Sequence, residues 1–183
     1  EWFFKDFEGD KKDLIIFEGL VTQQRIKYLV KLLGYGLIRE KLSLFIYKIS
    51  KSYGRFFISK LLSKDNVKIQ FSYNGRKKHF KLYDSGYFLN LSKSKYVICP
   101  PGDFVWTYRL FETVMSKSIP VINHKDEHVE KYGLITKTIN EIKYLSDDEY
   151  KEIVNKNFIV IKDNISKKTM LESLLRKCEE NFI

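Results

Sequence analysis

The segment PPGDFVWTYRLFE, from Pro100 to Glu112, joins a rigid loop to a cation and an anion on the helix that follows. Pro100, Pro101 and Gly102 end whatever strand precedes them, and Asp103 leads toward a helix running from about Thr107 to Ser116. Free N–H groups in that first turn and the positive end of the helix dipole make an anion site. Thr107, Tyr108 and Arg109 lie on it, and Arg109 can add a two-pronged grip on a phosphate. Glu112 follows three residues later on the same face, one turn deeper. A carboxylate there could accept hydrogen bonds from two vicinal ribose hydroxyls. Two plainer accounts stay open on these residues alone. Arg109 and Glu112 at this spacing can form an ordinary surface ion pair, and the Pro-Pro-Gly loop can simply end a strand.

The elements that must position these groups are legible as alternating strands and helices. Residues 13–17 (DLIIF) form an apolar run closed by Glu18 and Gly19, a buried strand and then a turn. Thr22 caps a helix to Leu33, with Ile26, Leu29, Val30 and Leu33 on one face, and Gly34 and Gly36 stop it. Residues 37–63 read as helical with a break near Gly54. Val67 to Ser72 alternates as a strand, and Asn74-Gly75 turns into the basic stretch Arg76 to His79. A short helix around 83–92 precedes a third strand, Lys95 to Cys99, and Ile119 to Ile122 makes a fourth. From about 138 the pattern is helical, with Ser146 and Glu149 forming a capping box before Tyr150 to Asn164.

Short apolar strands between helices predict an α/β fold: a Rossmann-like parallel sheet with helices on both faces. Ligands of such sheets bind beyond the carboxyl ends of the strands. Three ends stand out: Glu18 and Gly19 with Arg25 just beyond, Pro100 to Arg109, and Asn123 to Glu127.

Composition sets the outer limits. With 44% hydrophobic and 15% aromatic residues the chain can bury a sizeable core, which excludes intrinsic disorder. Lys and Arg total 33 against 23 acidic residues, leaving +10, so the surface attracts anionic partners. Lys77, Lys78, Phe80 and Tyr83 interleave basic and aromatic groups as nucleic-acid surfaces do, but no RRM, KH or helix-turn-helix signature accompanies them. No run of 18 apolar residues is present to span a membrane. Cys99 and Cys178 belong to no CxxC pair and read as buried free thiols, which suits a reducing compartment. The chain starts at Glu1 with no signal-peptide pattern, so it is expected to be processed or part of something longer.

SKSKYVICPPGD (Ser92 to Asp103) followed by YRLFETVMSKSIPVI (Tyr108 to Ile122) resembles the signature of exostosin-like glycosyltransferases. That signature reads loosely SKFxLxPxGD, then RLFEAIxxGxIPVI after a few residues, and the spacing is kept without a gap. The resemblance implies one lobe of a two-lobed GT-B fold, the lobe that holds a nucleotide-diphosphate sugar, with a UDP-linked donor expected. It puts Arg109 near the diphosphate and Glu112 near the ribose. Pro101, Gly102, Asp103, Thr107 and Tyr108 complete the cradle, and Leu14 to Gly19 with Arg25 resembles the lobe's opening strand and loop. Ser118 stands where the family has Cys. Lys117 stands where it has Gly, so the helix–strand turn is expected to differ slightly.

Several expectations follow from the resemblance. Residues 1–165 form the nucleotide-sugar-binding domain, and 166–183 a C-terminal helix packing on it or on a missing lobe. No Asp-x-Asp motif occurs, so no metal is expected, and no cofactor beyond the donor substrate. The partners expected are the nucleotide-sugar donor, a glycan acceptor, and a second GT-B lobe upstream or on another chain. A peripheral membrane contact through the basic surface is a further one; nucleic acid is not. The catalytic base is expected outside these residues; His124, just past the fourth strand, is the one candidate within, and an ordinary loop histidine is its plainer account. The location implied is the cytoplasm or the cytoplasmic face of a membrane, or the Golgi lumen for a eukaryotic secretory enzyme. Two other readings stay open: a non-catalytic glycan- or protein-binding scaffold of the same fold, and a basic nucleic-acid-binding domain.

Overall fold

Four runs of branched and aromatic residues pair into one sheet. They are β1 (Lys12–Leu20), β2 (Val67–Ser72), β3 (Ser94–Ile98) and β4 (Ile119–Val121). The computed structural model describes residues 11–72, 85–101, 108–123, 129 and 133–166. Every pairing is parallel and the strand order is β2-β1-β3-β4. Seven helices are described: α1 (Gln23–Leu32), α2 (Leu37–Ile49), α3 (Lys51–Leu62), α4 (Ser85–Ser92), α5 (Tyr108–Met115), α6 (Ile139–Ile142) and α7 (Asp147–Ser166). The fold is α/β and Rossmann-like.

Alternate residues of β1 and β3 feed two cores, whereas β2 buries one face only, its Lys68 and Gln70 being exposed. Ile15, Phe17, Ile69, Phe71 and Ile98 join Ile26, Leu29 and Val30 of α1, Ile58 and Leu62 of α3, and Tyr150 and Ile153 of α7. On the opposite face Ile16, Val97 and Cys99 join Tyr87 and Leu91 of α4 and Leu110 and Val114 of α5. Burial on both faces is why β1 and β3 carry apolar runs, and one-sided burial is why β2 alternates. Among the described residues no helix is long and apolar enough to cross a membrane.

Two expected boundaries move. Glu18 and Gly19 do not turn; they continue β1, paired with Gln70 and Phe71, and the strand ends at Leu20. The break in 37–63 falls at Ser50 rather than Gly54. Ser50 is extended (φ −156, ψ 110) and its hydroxyl accepts from the Tyr53 N–H at 3.3 Å, so it caps α3. Gly54 lies inside α3, where a Cβ would stand 2.9 Å from the Ile46 carbonyl oxygen. Its role is close approach of α2 and α3, not termination.

Other ends form as their residues dictate. Thr22 Oγ1 accepts from the Arg25 N–H at 3.2 Å to cap α1. The Glu149 carboxylate accepts from the Ser146 N–H at 2.9 Å while Ser146 Oγ accepts from the Glu149 N–H at 3.3 Å, completing the capping box. After α5, Lys117 N–H donates to Val114 O at 2.9 Å and Ser118 N–H to Thr113 O at 3.0 Å. These are the two bonds of a Schellman ending, and Lys117 takes φ +54, the left-handed backbone that favours glycine. Buried Ser118 accepts from Lys11 Nζ at 2.8 Å, and that amine also donates to Ser116 O at 2.6 Å and Ser94 O at 3.2 Å. Burial first, and then the charge of Lys117, push the Lys11 amine down to about 7.

The turn at Asn74, the basic and aromatic positions Lys77, Lys78, Phe80 and Tyr83, His79 and His128, Cys178 and the expected C-terminal helix beyond Ser166 lie outside the described residues.

Candidate functional site

The strand order sets the place to look. From β1 the chain goes to β2 on one side and then returns to β3 on the other. The helix after β1 packs on one face of the sheet and α5, after β3, on the other. By the rule for open parallel sheets, the ligand crevice is expected between the carboxyl ends of β1 and β3, the switch point of this strand order.

Arg109 crosses that crevice. It is the second residue of α5, yet its guanidinium carbon lies 4.7 Å from the ring centroid of Phe17, which belongs to the core under α1. A cation over an aromatic face is attracted by the ring quadrupole. The remaining space is supplied by Gly19, two residues beyond Phe17 and on the same side of β1. A Cβ at Gly19 would lie 2.5 Å from Arg109 Nη2 and 3.2 Å from Nη1. The glycine inside this strand is thus explained by the cation pressed against it. Arg109 Nη1 is buried and has no hydrogen-bond partner among the described residues. A buried donor left unmade costs about 1–3 kcal/mol, so this nitrogen is poised for an acceptor.

Neighbouring groups line the same edge. Half-buried Glu112, one turn deeper on α5, accepts a hydrogen bond from Tyr87 Oη at 3.0 Å. Asn90 Nδ2 donates to Glu18 Oε2 at 2.9 Å, tying α4 to the end of β1. Arg25 turns back on the strand, Nη1 donating to Leu20 O at 3.1 Å. Tyr28 Oη accepts from the Asn123 N–H at 3.0 Å, joining α1 to the end of β4, and burial raises its phenol above the ordinary range.

Cys99, the residue after β3, is a buried free thiol 3.4 Å from Thr113 Oγ1. Burial pushes it up to about 11, against the lowering influence of the Thr113 hydrogen bond and the Arg109 charge. A protonated buried thiol is inert, so Cys99 packs rather than reacts.

Of the residues expected at the site, the structure brings Gly19 and Arg109 into contact. Arg25, Pro101 and Glu112 stand at the same carboxyl edge, Pro101 exposed in the loop leaving β3. Tyr108 opens α5. Gly102, Asp103, Thr107, His124 and the Tyr108 side chain lie outside the described residues. Sequence reasoning missed Tyr28, Tyr87 and Asn90, whose partners are 25 to 95 residues away in the chain. No local spacing signals such pairs. Among the described residues no group of three or more His, Cys, Asp or Glu is placed to hold a metal ion. No family model matches this chain, and no curated protein matches it.

Proposed function

We propose that this chain is the donor-binding lobe of a glycosyltransferase, holding a nucleotide-diphosphate sugar in the crevice between β1 and β3. The observation that carries the reading is the Arg109 guanidinium, set across Gly19 with a buried nitrogen that has no acceptor among the described residues. A diphosphate oxygen is the acceptor that nitrogen fits, and charge-assisted bonds of this kind are the strong ones. The start of α5 adds the positive end of its dipole on the same side. Glu112, oriented by Tyr87, is the group for the ribose hydroxyls. The match of Ser92–Asp103 and Tyr108–Ile122 to the exostosin-like signature supports the choice of a sugar nucleotide over other phosphate ligands, and UDP over other bases by expectation.

Transfer breaks the bond between the donor's anomeric carbon and its diphosphate, while an acceptor hydroxyl adds to that carbon and gives up its proton to a base. Arg109 and the start of α5 would stabilise the departing diphosphate charge. In this reading the base comes from a second lobe facing the crevice, on the same or another chain, and the acceptor glycan lies between the two. The test is nucleotide protection: thermal unfolding with UDP, with GDP and with a random oligonucleotide, each in EDTA. Stabilisation by a nucleoside diphosphate alone supports the reading. Stabilisation by the oligonucleotide alone would replace it with nucleic-acid binding.

A further inference from the structure

The α2–α3 hairpin carries a feature the crevice does not use. Each helix buries one face, Ser43 and Tyr47 on α2 and Gly54, Ile58 and Leu62 on α3. The opposite faces are apolar too. Ile38, Leu42, Phe45 and Ile49 recur along α2 at helical spacing, and Tyr53, Phe56 and Phe57 continue along α3, all exposed; Ile38 is 86% and Phe57 66% accessible. Leu37 adds to the same end of α2 at 72%. Most of the exposed large apolar side chains among the described residues thus fall on this one hairpin, whereas a soluble surface scatters them singly.

The charges around the stripe choose its occupant. Lys41, Lys48, Lys51 and Lys60 are exposed among the apolar residues, with Arg39 and Arg55 half-exposed, against the single acid Glu40. None of the four lysines is paired with a carboxylate among the described residues. A protein interface of this size would be depleted in lysine at its centre. Apolar and aromatic side chains interleaved with snorkelling lysines are instead what an anionic lipid surface accepts, the rings entering the acyl boundary and the ammonium groups staying at the headgroups.

We infer that the exposed face of α2 and α3 docks on an anionic membrane surface, lying in the interface without crossing it. This inference is independent of what the crevice binds.

The experiment is flotation of the 183-residue chain with vesicles of phosphatidylcholine alone and of phosphatidylcholine with phosphatidylglycerol in equal parts. The chain is expected to float with the anionic vesicles and far less with the neutral ones. Because a lysine near such a surface contributes about fivefold to partitioning, Lys41→Gln with Lys48→Gln should weaken it by roughly twenty-five-fold. Phe56→Gln with Phe57→Gln should abolish flotation, and both pairs are exposed enough to leave thermal unfolding unchanged. No flotation by the parent chain overturns the proposal. So does flotation that both variants retain, since another surface would then be responsible. A dimer seen by analytical ultracentrifugation, lost in the phenylalanine variant and indifferent to lipid, would overturn it in favour of a second copy of the chain.

Discussion

Gly19→Ala separates the position of Arg109 from its charge. The new Cβ would stand 2.5 Å from Arg109 Nη2, well inside ordinary contact, and 3.2 Å from the Phe17 ring. The guanidinium is the far end of a flexible side chain, so it yields before the backbone does, by roughly 1 Å. Misplacement on that scale can cost about a hundredfold where geometry is demanding. Losing one charge-assisted hydrogen bond costs about 1.5–3 kcal/mol, which sets the floor near tenfold. Stability should hardly move, because the cost of crowding the buried Phe17 ring is offset by the roughly 0.4–1 kcal/mol that a Gly-to-Ala change contributes through the unfolded chain. Calorimetric titration with UDP and a thermal melt of each form make the assay. A nucleotide affinity at least tenfold weaker at unchanged melting temperature is expected. Equal affinity, with the alanine accommodated, would refute the argument that Gly19 exists to seat Arg109 for ligand.

Three more expectations follow from particular groups. Lys117→Gly should stabilise the fold by about 1 kcal/mol in urea unfolding, since a left-handed backbone costs a side chain that much; no gain would mean that the Lys117 side chain offsets its backbone. Glu112→Gln should weaken UDP binding, whereas a 2′,3′-dideoxy nucleotide should bind both forms alike; an equal loss for both ligands would make Glu112 a positioning residue for Arg109. Lys11 has a folded value near 7, below its ordinary 10.5, so the unfolded chain binds more protons between those values. Stability should therefore rise with pH across that window, and Lys11→Met should flatten the rise in urea unfolding at successive pH values.

Much of this fold was legible because its signals are local. The four apolar runs pair as strands, Thr22 and the Ser146–Glu149 box cap the helices they precede, and the position of the crevice follows from strand ends. Where the reading failed, a tertiary contact overrode a local cue. Gly19 reads as a turn residue in isolation, but it stays in β1 because Phe71 pairs with it and Arg109 fills the space its side chain would take. Gly54 reads as a helix breaker, but it lies where α3 meets Ile46, and the unobtrusive Ser50 makes the break. The ties of Tyr87 to Glu112, Asn90 to Glu18 and Tyr28 to Asn123 depend on the strand order, which no periodicity encodes. The apolar outer face of α2 and α3 was hidden for a similar reason: a helical apolar pattern does not say which of two faces is covered.

The central claim is that Arg109 holds a nucleoside diphosphate at the switch point, and calorimetric titration of UDP into the parent chain and into Arg109→Ala tests it most directly. The parent should bind saturably, without added metal. The variant, still folded by its thermal melt, should bind about ten- to a hundredfold more weakly, as expected for one lost charge-assisted hydrogen bond. The same affinity in both, or no saturable binding of any nucleoside diphosphate by the parent, would contradict the account.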